Sequence, residues 1–153
     1  MKETKLKLLE KKINYKFKNK DLLKSALTHK TYAFEAEIPI EYNERLEFFG
    51  DSILSFIVAE QLYKSNKYFS EGELTRRRAL FVNNKILADK AKKLNLGDFI
   101  LFGKGEEIQM GKIKPTNLAN ALEALIGAIY LDSDITKVRE IILTHIFNKH
   151  SKF

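Results

Sequence analysis

Asn43-Glu44-Arg45-Leu46-Glu47-Phe48-Phe49-Gly50-Asp51 places three carboxylates inside an apolar run that continues through Ser52-Ile53-Leu54. On an α-helix each residue turns by about 100°, so Glu44, Glu47 and Asp51 fall within a sector of roughly 60°. Leu46, Phe49, Ile53 and Ile57 fall on the opposite side. The spacing predicts a long, largely buried helix over 42–66 that carries acids along one edge. A second segment, Asn120-Ala121-Leu122-Glu123-Ala124-Leu125, repeats the design. Asn120 and Glu123 share one edge of an apolar helix expected over 118–131, opposite Leu122, Leu125 and Ile129.

Like charges packed together without a cation repel and raise one another's pKa. A hard divalent ion removes that penalty, and an all-oxygen donor set points to Mg²⁺ or Mn²⁺ rather than zinc. Gly50 adjoins Asp51, and Gly127 lies one turn beyond Glu123. Glycine costs about 1 kcal/mol inside a helix relative to alanine. The gain that offsets this is close helix approach, which would bring the two acidic edges to one ion. The competing reading, a solvated helix face, is the ordinary one for any single Glu. A di-iron bundle is a third oxygen-rich option, but it uses Glu-x-x-His motifs, and no His follows Glu44, Glu47 or Glu123 at that spacing.

The remainder of the chain agrees with an all-α class. Lys5 to Lys12 reads as a short helix, and Asp21 as the cap of a second that runs through Leu27. Residues 35–41, with Pro39, read as a loop. Ser70 and Glu73 stand at the spacing of a capping box. Asn83 or Asn84 caps a helix expected to stop at Gly97, and residues 98–115 read as a loop. A last helix is expected over 135–147. No alternating strand pattern persists.

At 153 residues one domain over 1–153 is expected. There is no cysteine, which excludes disulfides and thiolate zinc sites. No signal peptide is visible, and no apolar run approaches the roughly 20 residues of a membrane span, so a soluble, cytoplasmic protein is expected. Twenty-seven Lys and Arg against 20 acids give a net charge of +7, which suits a polyanionic partner. Arg76, Arg77, Arg78, Lys85, Lys92, Lys93, Lys104, Lys112 and Lys114 are candidate phosphate contacts, although most lysines and arginines taken singly are solvated charges. Neither a Ser-His-Asp or Cys-His arrangement nor a phosphate-cradling glycine loop is present. His29 reads as a structural hydrogen-bonding residue, and Tyr32 and Phe34 as core residues.

At its acidic motif, Asn43 through Leu54, the chain resembles the catalytic domain of bacterial ribonuclease III. Ala26-Leu27-Thr28-His29-Lys30-Thr31-Tyr32, Glu71-Gly72-Glu73-Leu74, Leu80-Phe81-Val82-Asn83 and Glu123 through Asp132 match that family in the same order. The resemblance implies an all-helical, homodimeric endonuclease that cuts double-stranded RNA with Mg²⁺, and it suggests processing of ribosomal RNA precursors. It implies that Glu47, Asp51 and Glu123 are metal-binding and catalytic carboxylates. Glu44 and Glu71 would lie near the scissile strands, and Phe48 would plug a socket on the partner subunit. Taken alone, Phe48 reads equally well as a core residue.

Two departures from the pattern stand out. Where the family carries Asp, this chain has Asn120, which keeps a carbonyl oxygen but removes one negative charge. Weaker metal binding and slower chemistry are expected, whether the amide is natural or an inactivating substitution. The family usually continues into a double-stranded-RNA-binding domain, which is not recognisable in these 153 residues. A domain that binds RNA without cutting it, or a structural dimerisation module, therefore stands as the alternative to a nuclease.

Overall fold

The computed structural model describes residues 3–147, and among these the chain is helical, with an isolated bridge between Thr28 and Leu101 in place of any strand. The helices are α1 (Glu3–Ile13), α2 (Lys20–Ala26), α3 (Lys30–Phe34), α4 (Glu44–Ser65), α5 (Glu71–Val82), α6 (Asn84–Lys93), α7 (Lys104–Ile108), α8 (Pro115–Asp132) and α9 (Ile135–Ile141). The last of these runs on into a π-helical turn over Ile142–Ile146. No helix among the described residues is long and apolar enough to cross a membrane.

The architecture is organised around α8. Every residue from Leu118 to Ile129 is buried except the half-buried Asn120. A helix apolar on all sides has to be covered on all sides, and α4, α6 and α2 supply the main cover. The α4–α8 contact is the most extensive in the fold. A Cβ added at Gly50 would sit 1.8 Å from the Glu123 carbonyl oxygen, and one added at Gly127 would sit 2.5 Å from the Leu46 carbonyl oxygen. The two helices therefore meet backbone to backbone at a point where only glycine fits.

Two buried carboxylates fasten the segment between α1 and α2. Asp132, at the end of α8, accepts hydrogen bonds from the Tyr15 hydroxyl at 2.7 Å and from the backbone N–H of Lys18 and of Asn19 at 2.8 Å each. Burial pushes its carboxyl up, but these donors together outweigh burial and hold it below the usual aspartate value. Glu10 accepts from the Phe17 N–H at 2.6 Å and pairs with the Lys20 ammonium.

The structure moves several boundaries expected from the sequence. Asn19, not Asp21, caps α2, its side chain accepting from the Asp21 N–H. The helix capped by Asn83 stops at Lys93 rather than Gly97, because Asn95 takes a left-handed conformation (φ 54°) before a 3₁₀ turn over Leu96–Asp98. The expected loop over 98–115 contains α7 and a second 3₁₀ turn, and α3 is an additional helix. Tyr32 and Phe34 are not core residues: Phe34 is 73% exposed and meets Tyr42 edge-on at 5.8 Å. The capping box at Ser70 and Glu73 is formed as the spacing predicts.

Gly50→Ala should lower stability by about 3 kcal/mol, because the forced separation of α4 and α8 outweighs alanine's better helix propensity. Gly72→Ala is the control, since an added Cβ there meets nothing within 4 Å. Urea midpoints measure both: a clear drop is expected for the first and no loss for the second.

Candidate functional site

The backbone contact at Gly50 and Gly127 brings the acidic edge of α4 against α8 just where Glu123 leaves the helix. Glu123 is only 7% exposed. Burial, then the charges of Asp51 and Glu47, push its carboxyl up to about 7. Glu47 is half-buried and also raised, first by burial and then by Glu44, against the opposing influence of Lys30 and of hydrogen bonding from the Asn120 amide. Asp51 is exposed on the same edge and raises both of its neighbours. Glu47, Asp51, Glu123 and Asn120 thus form one electrostatically coupled group drawn from two helices.

A divalent cation fits this group by donor chemistry: the side chains offer oxygen, and Glu47 and Glu123, raised first by burial and then by neighbouring carboxylates, would be relieved by a positive charge. As placed, however, no three His, Cys, Asp or Glu side chains among the described residues stand close enough to clasp an ion.

The other sequence-derived residues lie around this group or apart from it. Glu44 opens α4 and pairs with Lys30 Nζ at 2.9 Å. Glu71 stands on the exposed first turn of α5, where its carboxylate accepts from Thr75 Oγ1 at 2.9 Å. Phe48 is 79% exposed, which removes the core reading. Beside α4 lies a cavity of about 550 Å³ whose apolar walls include Leu22, Tyr42, Leu46, Phe49 and Leu131.

His29 has the structural role expected. It caps α3, with Nδ1 2.8 Å from the Thr31 hydroxyl, and that hydroxyl accepts from the Gly103 N–H at 3.0 Å. Burial holds the His29 imidazole below its ordinary pKa. Three of the candidate phosphate contacts are engaged within the fold, Lys92 by pairing with Asp89 at 3.6 Å. Lys114 pairs with Glu106 at 2.8 Å, and the Arg77 guanidinium lies over the Phe69 ring at 4.0 Å. Arg76, Arg78, Lys85, Lys93, Lys104 and Lys112 are exposed. Sequence reasoning gave Lys30 no role. Its proximity to Glu44 depends on the hydrogen bond from the Asn43 N–H to the Thr28 carbonyl at 2.9 Å, and nothing in its local sequence encodes that.

Comparison with known proteins agrees with this geometry. The family model described as Ribonuclease-III-like matches residues 19–150. Ribonuclease 3 of Caldanaerobacter subterraneus subsp. tengcongensis is 49% identical over 138 residues, which is 90% of this chain and 60% of that protein. Ribonuclease 3 of Clostridium tetani is 50% identical over 143 residues, 94% of this chain and again 60% of the relative. The chain therefore spans about 60% of the length of these curated relatives. A crystal structure of the nuclease domain of ribonuclease III from Campylobacter jejuni superimposes with a TM-score of 0.89 at 42% identity, covering 100% of this chain and 99% of that one. A second structure of that domain, which describes flexibility in a region involved in its dimer formation, gives a TM-score of 0.88 at 43% identity over 95% and 98% of the two chains.

The raised carboxyl of Glu123 has a consequence for stability. Its pKa rises from an ordinary 4.5 to about 7 on folding, so the folded state holds a proton that the unfolded state has released between these values. The cation-free protein should accordingly lose about 3 kcal/mol as pH rises from about 4.5 to above 7. Glu123→Gln should flatten this slope and be the more stable protein at pH 8, as measured by urea unfolding in the presence of a chelator.

Proposed function

The chain belongs to the ribonuclease-III-like family, and we propose that it is a nuclease domain that hydrolyses phosphodiesters of double-stranded RNA with a divalent cation, Mg²⁺ or Mn²⁺. The observation that carries this reading is the backbone contact of α4 with α8, which couples Glu47, Asp51 and Glu123 across the helix boundary. The substrates include precursors of ribosomal RNA, and the setting is the cytoplasm, as the family resemblance suggests.

In this reading Glu47, Asp51 and Glu123 hold the cation, and Asn120 adds a neutral oxygen. When bound, the cation lowers the pKa of water and offsets charge on the transferring phosphate. The protein's own contribution is placement. The Asn120 amide lies beside Glu47 and favours its charged form. Glu123, buried at the base of the edge, holds a proton near neutral pH in the cation-free protein and would release it on taking up the cation. Glu44 and Glu71 are the acids that would lie near the strands. The exposed cations Arg76, Arg78, Lys85, Lys93, Lys104 and Lys112 supply phosphate contacts. A-form RNA is read through phosphates and 2′-hydroxyls, so selectivity for sequence is weak.

A homodimer belongs to the same proposal. A phenylalanine as exposed as Phe48 beside an apolar cavity suits reciprocal insertion, the Phe48 of each subunit entering the other's cavity. The dimer formation named for the Campylobacter jejuni domain supports this reading.

A second reading, an RNA-binding or dimerisation domain that does not cut, is favoured by Asn120. Comparison with Asn120→Asp on long duplex RNA in Mg²⁺ or Mn²⁺ decides between them. The proposal expects cleavage by both proteins, faster and at lower metal concentration for the Asp version. Cleavage by the Asp version alone would identify a competent scaffold silenced by its amide, and cleavage by neither would support the second reading. For the dimer, Phe48→Ala removes the same contact twice, at about 1.5–3 kcal/mol each. Sedimentation should shift from dimer toward monomer, and an unchanged dimer would exclude this use of Phe48.

A further inference from the structure

Lys30 is held at the acidic edge by a specific backbone arrangement. Thr28 O accepts from Asn43 N at 2.9 Å, and His29 N donates to Leu101 O at 3.0 Å. The first bond sets the start of α3 beside the start of α4, and the second fixes α3 to the segment before α7, so that the first helical residues Lys30 and Glu44 face one another. Lys30 Nζ lies 2.9 Å from Glu44 Oε1, with the two side chains 48% and 46% exposed. A lysine at a helix N-terminus opposes the helix dipole, and an ion pair this exposed contributes little to folding. Neither local helix energetics nor stability accounts for Lys30. Its influence extends past its partner, because it also acts on Glu47, the next acid along α4.

We infer that Lys30 is the resident counterion of the acidic edge, a tethered ammonium that sets how tightly the edge takes up a divalent cation. The inference rests on the reading of Glu47, Asp51 and Glu123 as the cation-binding group. A fixed positive charge there repels an arriving ion and, through its action on Glu47, offsets part of the negative charge that the ion would meet. Removing that charge makes the edge more negative, so Lys30→Gln should bind a divalent cation more tightly, by about three- to tenfold at low salt. Lys30→Arg keeps the charge and should stay within about twofold of the parent protein. The advantage of the Gln variant should shrink as salt rises, because the screening length falls from about 30 Å at 0.01 M to about 3 Å at 1 M.

The sign separates this from a supporting role. If Lys30 merely held Glu44 in place, its loss would loosen the edge and weaken binding, or leave it unchanged. The experiment is titration of the RNA-free protein with Mn²⁺, reading free Mn²⁺ by its electron paramagnetic resonance signal. The parent, Lys30→Gln, Lys30→Arg and Glu123→Gln proteins are compared, with thermal unfolding as a check on folding. Tighter binding by Lys30→Gln, reversed by salt and absent in Lys30→Arg, is the expected result. Equal or weaker binding by Lys30→Gln overturns the role of Lys30 while leaving the cation site standing. A parent protein that takes up no Mn²⁺, or takes it up as well after Glu123→Gln, overturns the cation site itself and the counterion role with it.

Discussion

The crossing of α4 and α8 at Gly50 and Gly127 is the constraint on which the remaining features depend. At Gly50 an added Cβ would fall 1.8 Å from a backbone oxygen, a distance that no side-chain adjustment relieves. Two helices so close share almost no side-chain layer at that point, and the residues flanking the glycines are brought to a common boundary. Leu46, Ile53 and Ile57 turn inward against α8, while Glu47 and Asp51 turn toward its rim. The close approach that packs the core is also what couples acids lying more than 70 positions apart in the chain.

Such a boundary has an electrostatic cost. Glu123 belongs to the most deeply buried helix of the fold, yet it faces two further carboxylates, and its raised pKa expresses both burdens. A structure selected only for stability would place an apolar residue there. Asp132 is the useful contrast on the same helix. It too is buried, but three donors converge on it, and its pKa falls rather than rises. Compensation within the chain marks Asp132 as a structural carboxylate. In the proposed reading the compensation for Glu123 comes from outside the chain, as a bound cation.

Much of this was legible in the sequence because it is written in local periodicity. The 3.6-residue repeat gave α4 and α8 and set the acids on one edge, and the glycine pair signalled the close approach. The capping box at Ser70 was readable because it spans four residues. What the sequence concealed depends on contacts between distant segments. The short helices α3 and α7 carry too few residues to show a period, and their placement rests on the bridge between Thr28 and Leu101 and on the bond from Gly103 to Thr31. The exposure of Tyr32 and Phe34 could not be read because aromatic residues usually mark a core, and for Phe48 a core and a partner-facing reading stood level. The engagement of Lys114 with Glu106 and of Arg77 with Phe69 was hidden among equivalent charges for the same reason.

The amide at position 120 follows from the charge balance of the edge. Glu44, Glu47, Asp51 and Glu123 already crowd one boundary, and Lys30 pairs with Glu44 and acts on Glu47 there. An aspartate at position 120 would add a fifth negative charge one turn from Glu123 and beside Glu47. Like charges at that spacing on a helix are destabilising. Asparagine has the same size, keeps an oxygen, and turns a repulsion into a hydrogen bond with Glu47. In the proposed reading the chain therefore gives up cation affinity for a more stable cation-free state. Asn120 and Lys30 act in the same direction, one by omitting a negative charge and the other by supplying a positive one. In that reading both leave the edge less able to retain a divalent ion.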